Sequence, residues 1–171
     1  MKVMGIARAM ELPDWLLFSG AIYQPVWNHL TCRPADHGVK DDDLGYFDDA
    51  DLSWEAEDAV IKRVAAACPG PLRGEAAVCN QARVHLWFEH RFGVTCDALG
   101  SSADALRRFA SPAFAVGARR ETDDRLAVFA PFGLEDLFAM RIRPNPLRRS
   151  AGLAKKIAGA RARWPEPKVE E

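Results

Sequence analysis

The sequence predicts an α/β fold: a mixed sheet flanked by helices, completed by a β-hairpin and a C-terminal helix. Three observations lead there. Apolar stretches of helical period alternate along the chain with short apolar or period-two stretches. Gly and Pro fall at the joints between them. The 171 residues, 49% hydrophobic and 27% charged, suffice for a real core in one domain, residues 1–171, and leave no room for a second of ordinary size.

The elements follow in order. Residues 3–11 read as a helix that Leu12-Pro13-Asp14 ends, and 15–19 as a short apolar strand. A helix should start near Gly20 and run towards Leu30, kinked or shortened at its start by Pro25. After a loop over 31–38, a strand covers about 41–47. Ser53 is placed to cap the next helix, with Glu55 and Glu57 at its positive end and Trp54, Ile61, Ala65 and Cys68 as its apolar stripe; Cys68-Pro69-Gly70 stops it.

Residues 75–79 read as a third strand leading into 80–87, where Arg83, His85 and Trp87 share one parity if the strand continues. Ser101 with Asp104 makes a capping box ahead of a helix to about Phe109. Residues 113–119 and 125–130, joined by Glu121-Thr122-Asp123-Asp124, read as the hairpin. A short helix over 133–140 is closed by Pro144, and Ser150 caps a last helix whose buried stripe is Leu153, Ile157, Ala160 and Trp164.

Charge is strongly polarised beneath a net value of −1. Residues 36–58 hold ten Asp or Glu and only Lys40, whereas 141–163 hold eight Lys or Arg and no acid. The acidic region needs cations to fold compactly. The basic one suits phosphates or, as the favoured reading, a solvated helix face, because no aromatic residues interleave with its charges before Trp164; nucleic acid is a possible but not a favoured partner. No apolar run approaches the ~20 residues that cross a bilayer, so the reading is cytoplasmic without a membrane partner. Cys32, Cys68, Cys79 and Cys96 lack C-x-x-C spacing and read as buried free thiols.

The chemistry concentrates in two short segments. Ser19-Gly20-Ala21 opens a helix, and Lys40-Asp41-Asp42-Asp43 opens a strand about twenty residues on. On a strand, Asp41 and Asp43 project from one face, roughly 6.5–7 Å apart along the backbone, while Asp42 faces away. Two such carboxylates share one divalent cation or hold two, the arrangement of enzymes that move phosphoryl or nucleotidyl groups. An amide-rich helix start at Gly20 and Ala21 suits phosphate oxygens, and equally plain turn chemistry. Arg83 and His85 fit a nucleotide contact and, equally, a salt bridge and a satisfied core histidine. His37, near the aspartates, fits a metal ligand or a solvated loop residue.

The Gly20-Ala21 turn with Asp41-x-Asp43 resembles the core signature of the DNA polymerase β-like nucleotidyltransferase superfamily. A closer resemblance is to a small bacterial family of predicted nucleotidyltransferases. It rests on Ser19-Gly20 with Val26-Trp27-Asn28, the blocks 40–48, 51–58 and 80–87, then 113–117, Ala130-Pro131-Phe132-Gly133-Leu134, Asp136-Leu137-Phe138, Arg143-Pro144-Asn145-Pro146 and Trp164-Pro165-Glu166. It implies metal-dependent transfer of a nucleotide monophosphate from an NTP to an unidentified acceptor. Asp41 and Asp43 would hold Mg²⁺ or Mn²⁺, Gly20 and Ala21 would seat the triphosphate, and Lys40, Arg83 and His85 would contact it. The chain departs from the pattern at Pro25, in place of an amide donor, and at Ala77, in place of a third strand carboxylate; Glu75, on the same strand parity, is the substitute candidate. The rival readings are a nucleotide-binding or partner-binding module that lost transfer, and a metal-dependent phosphohydrolase using the same aspartates.

Overall fold

The computed structural model describes residues 2–39, 42–68, 76–148, 150 and 152–170. Lys40, Asp41 and Glu75 lie outside the described residues. A five-stranded mixed sheet has the order β3-β2-β1-β4-β5, formed by β1 (Leu16–Phe18), β2 (Asp42–Tyr46), β3 (Ala76–Asn80), β4 (Gly117–Arg120) and β5 (Leu126–Phe129). Only β2 and β3 are parallel; β1 is antiparallel to both its neighbours, and β4 and β5 form the predicted hairpin. A small parallel pair, β6 (Arg141–Ile142) and β7 (Lys168–Val169), lies apart from it.

Alternation along the central strands decides what covers each face. Leu17, Leu44 and Tyr46 point to one side and pack with Val3, Met4 and Ala7 of α1 (Lys2–Ala9) and Val64 of α3 (Trp54–Ala67). Leu16 and Phe18 point to the other side and meet Val84 of α4 (Val84–Phe92) and Ala105 and Leu106 of α5 (Ser102–Leu106). Gly45 shares that second face, where a Cβ would collide with the Phe18 ring. The third core joins α2 (Gly20–Leu30) to α6 (Glu135–Phe138) and α7 (Leu153–Arg161). Tyr23, Trp27, Phe114 and Trp164 interlock there with ring centroids 4.9–6.3 Å apart. Each indole N–H is satisfied: Trp27 Nε1 donates to the Leu137 carbonyl at 2.9 Å and Trp164 Nε1 to Asn28 Oδ1 at 2.8 Å.

Several element expectations need correction. The buried side of α3 is Glu57 and Val64 with Cys68 just beyond, not Trp54, Ile61 and Ala65; Trp54 is exposed. A charged residue escapes an apolar-stripe reading because its partner, Arg83, is distant in sequence. The chain past Asn80 is not a strand: a 3-10 turn over Gln81–Arg83 leads into α4, so Arg83, His85 and Trp87 do not share a strand face. Asn80 causes the break, its Oδ1 accepting from Ala82 N while its Nδ2 donates to the Asp48 carbonyl. Residues 112–114 form a 3-10 turn begun by Pro112, so β4 starts later than expected. α5 and α6 are shorter than read, and Gly152, not Ser150, occupies the cap position of α7. Cys32 is exposed rather than buried. Ser53 caps α3 as expected, its Oγ accepting from Ala56 N at 3.2 Å.

The β1–α2 turn carries the positive φ on Ser19, not Gly20: Ser19 has φ 45°, ψ −99°. That backbone conformation is strained for a residue with a Cβ. Ser19→Gly should therefore stabilise the fold by roughly 1 kcal/mol, relief of strain outweighing the greater freedom of an unfolded glycine. Chemical denaturation measures it.

Candidate functional site

The register brings the two sequence segments together. Phe18, the last residue of β1, pairs across the antiparallel ladder with Asp43, so the Ser19-Gly20 turn begins beside the aspartate strand. On the other flank Asp43 pairs with Ala77 of β3. Register partners on neighbouring strands stand roughly 5 Å apart, so a carboxylate at 77 would meet Asp43 directly. Ala77 is exposed and offers none. Asp42 shares the opposite face with Leu44 and Tyr46.

At the start of α2, the Ser19 carbonyl accepts from Ile22 N at 2.9 Å and from Tyr23 N at 2.8 Å. The amides of Gly20 and Ala21 find no acceptor among the described residues. Two amides at the positive end of an eleven-residue helix are suited to an anion. α2 runs on through Pro25, whose missing N–H frees the Ala21 carbonyl rather than an amide of the first turn.

Arg83 and His85 lie elsewhere. β2 and β3 run away from Asp43 to the pair Tyr46 and Asn80, and Arg83 follows beyond that end. Arg83 is paired with the Glu57 carboxylate, donates from Nε to the Leu52 carbonyl at 2.8 Å and lies over the Trp54 ring. Glu57 also accepts from Asn80 N at 2.7 Å. Of the two readings of Arg83, a nucleotide contact and a salt bridge, the described contacts are those of a salt bridge that locks α3 to the end of β3. His85 stands two residues further on, in α4, with Nδ1 buried and without a hydrogen-bond partner among the described residues. His37 is held by the Arg163 carbonyl at 3.1 Å and by the edge of Trp164. The basic segment is partly internal too, since Arg141 and Arg143 both bind the buried Asp136.

The Glu57 cluster perturbs its neighbours. Burial first, and the Glu57 charge second, push the Tyr46 hydroxyl from 10.0 to about 12 and the Cys79 thiol from 9.0 to about 12. Both groups are neutral when protonated, so raised values in the folded state contribute stability in full below the unfolded values. That contribution is lost as pH rises from 9–10 towards 12. Cys79→Ala should consequently shift the alkaline unfolding midpoint to higher pH, as a titration followed by circular dichroism would register.

Among the described residues no three His, Cys, Asp or Glu side chains gather into a cation site. With Ala77 opposite Asp43, the donors among the described residues fall short of a paired-metal set. They fit one divalent ion bound by one or two carboxylates and completed by the phosphate oxygens it accompanies. Sequence reasoning named Ser19 and Glu57 but missed the strained backbone of the first and the buried pairing of the second with Arg83.

No helix among the described residues is long and apolar enough to cross a membrane. No protein of curated function matches the chain. A solved structure described as revealing a CCA-adding enzyme head domain superposes with a TM-score of 0.78 at 22% identity, over 100% of this chain and 88% of that one. A tRNA-processing enzyme with CTP gives 0.45 at 18% identity, over 83% of this chain and 35% of that one. A tRNA nucleotidyltransferase complexed with a primer tRNA and an incoming ATP analog also gives 0.45 at 18%, over 82% and 37%. The first likeness establishes the fold. The profile of a nucleotidyltransferase family matches residues 5–169, spanning both the Ser19-Gly20 turn and the aspartate strand, and this protein is a member of that family.

Proposed function

We propose that the protein binds a nucleoside triphosphate at the start of α2 and transfers its nucleotide monophosphate to an acceptor hydroxyl or phosphate. The observation that carries this reading is the pairing of Phe18 with Asp43, which joins the helix start to the aspartate strand. The amides of Gly20 and Ala21 donate to phosphate oxygens, and the helix dipole adds its partial positive charge. Asp43, with Asp41 assigned to it from strand alternation in the sequence, would hold a divalent cation, Mg²⁺ or Mn²⁺. When bound, that ion neutralises the phosphates and stabilises the departing pyrophosphate. The burial of Phe18 and Leu44 fixes the two strands, and with them the place of the Ser19-Gly20 turn beside the aspartate strand.

Pyrophosphate release with each NTP and Mg²⁺ tests the reading. Asp43→Asn and Asp41→Asn should lower it by about 10²-fold or more, and Asp42→Asn should leave it within a few-fold. Equal losses in all three folded variants would sink the face assignment. Gly20→Val should weaken NTP binding by screening the amides, and unchanged affinity in the folded variant would remove the phosphate seat.

One observation favours a second reading. Ala77 beside Asp43 suits a domain that retains nucleotide binding without transfer. Calorimetric NTP binding with no pyrophosphate release would select it.

A further inference from the structure

Along α4, Trp87-Phe88-Glu89-His90-Arg91-Phe92 interleaves aromatic residues with cations, and Glu89 is the helix's only carboxylate. Residues one turn apart form two ridges, Trp87 with Arg91 and Phe88 with Phe92. The three rings make one cluster, with centroids 4.7 Å apart for Phe88 and Phe92, 6.1 Å for Trp87 and Phe88, and 6.4 Å for Trp87 and Phe92. Trp87 and Phe88 rest partly against the core around Phe18, whereas Phe92 is 53% exposed. Arg91 lies over both Trp87 and Phe92, 5.9 and 5.6 Å from their ring centroids.

The fold brings further cations to this cluster. The basic segment 141–163 holds no aromatic residue of its own, but its Arg148 stands 5.7 Å from the Phe88 centroid. Arg148 also lines an open groove of about 550 Å³ just past α4, together with Val94, Leu99, Arg107, Arg108 and Leu147. Of the carboxylates there, Asp97 faces Arg108 and Asp104 accepts from the Gly100 amide. Arg91, Arg107 and Arg148 have no ion pair among the described residues.

Exposed rings beside unpaired guanidinium groups match one class of ligand. Aromatic faces take bases that are free to leave their stack, and arginines take the phosphates between them or stack on a base themselves. The bases of a duplex are not free in this way. A second copy of this chain fits the patch less well, because a two-fold axis through it would set Arg91 and Arg148 near their own copies. We propose that α4, with Arg148 and the adjoining groove, binds single-stranded nucleic acid. Phe18 and Asp43 are ladder partners and project from one sheet face, so α4 packs on the same side of the sheet as Asp43. Binding here needs no triphosphate, and the inference stands apart from the transfer reading.

The test is fluorescence anisotropy of labelled oligouridylate and oligothymidylate, each about twelve nucleotides long, and of a duplex of the same length, at about 50 and 200 mM salt. Wild type should bind a single strand about tenfold more tightly than the duplex, and the tighter of the two oligomers identifies the strand as RNA or DNA. Phe92→Leu, at an exposed position, should weaken that binding about tenfold and leave its salt dependence alone, the effect of one lost stacking contact. Arg91→Gln with Arg148→Gln should weaken it and lower the slope of log affinity against log salt by about one. Lys155→Gln with Lys156→Gln, exposed on α7, should leave it unchanged. Equal affinity for duplex and single strands would overturn the inference as plain attraction to phosphate. So would binding that the α7 variant loses and Phe92→Leu keeps, which would place the strand on the basic helix. A wild type that binds neither oligomer at the lower salt would overturn it even if every variant failed to fold; a dimer that Phe92→Leu dissociates would then mark the patch as a contact between copies.

Discussion

Arg83→Met should lower the unfolding free energy by about 3–5 kcal/mol, the loss expected when one partner of a buried ion pair is removed. Glu57 is 4% exposed, and its carboxylate would keep the Asn80 amide and the Cys79 thiol as donors, neither of them charged. The loss should extend beyond the pair. Arg83 also ties down the Leu52 carbonyl and covers the Trp54 ring, which hold the entry to α3. The double variant Glu57→Gln with Arg83→Met should recover part of the stability by removing the stranded charge. A double variant as unstable as Arg83→Met would show that the charge is not the main term. Folded Arg83→Met should bind nucleotide like wild type, since Arg83 stands at the opposite end of β3 from Ala77. A salt-sensitive loss of NTP affinity would restore Arg83 to the binding site.

Ala77→Glu should increase pyrophosphate release by about two orders of magnitude, or create it where wild type shows none. Position 77 is the register partner of Asp43 and is open to solvent, so a longer side chain folds without displacing core atoms. A carboxylate there raises the local negative charge, which costs stability in the absence of a cation. Melting temperature should therefore fall in EDTA and rise with Mg²⁺ more steeply than for wild type. Should Ala77→Glu gain Mg²⁺-dependent stability but no activity, the ligand set is repaired and the deficit lies elsewhere in the site. Should it fold and gain neither, the argument from the missing acid fails.

Short-range interactions of this fold were legible in the amino-acid sequence, and long-range ones were not. Ser53 and Ser101 were legible because each acts on backbone a few residues away: Ser53 on Ala56, Ser101 on Asp104. The aspartate strand was legible through its period of two. Misreadings cluster where the partner is remote. Glu57 spoiled an apolar-stripe reading of α3 because Arg83 answers it from 26 residues away. The Val78-Cys79 run invited a longer strand, and it ends at Asn80, whose side chain bonds to Ala82 N and to the distant Asp48 carbonyl. The pairing of Phe18 with Asp43 followed from no local pattern, and neither did the position of Ala77 opposite that aspartate.

The bond between Asn28 and Trp164 has a consequence for how the chain is made. Asn28 is fully buried, and the donor for its Oδ1 arrives 136 residues later. The central strand β1 waits similarly, since one of its two neighbours is β4. Contacts this far apart in sequence slow folding, because loop closure precedes any gain from them. During synthesis the emerging chain therefore holds α2 with one wall of its core absent, an exposed aromatic surface of Tyr23 and Trp27, until α7 and Trp164 have left the ribosome. The core around Asn28 cannot close before that point, however early α2 itself is made.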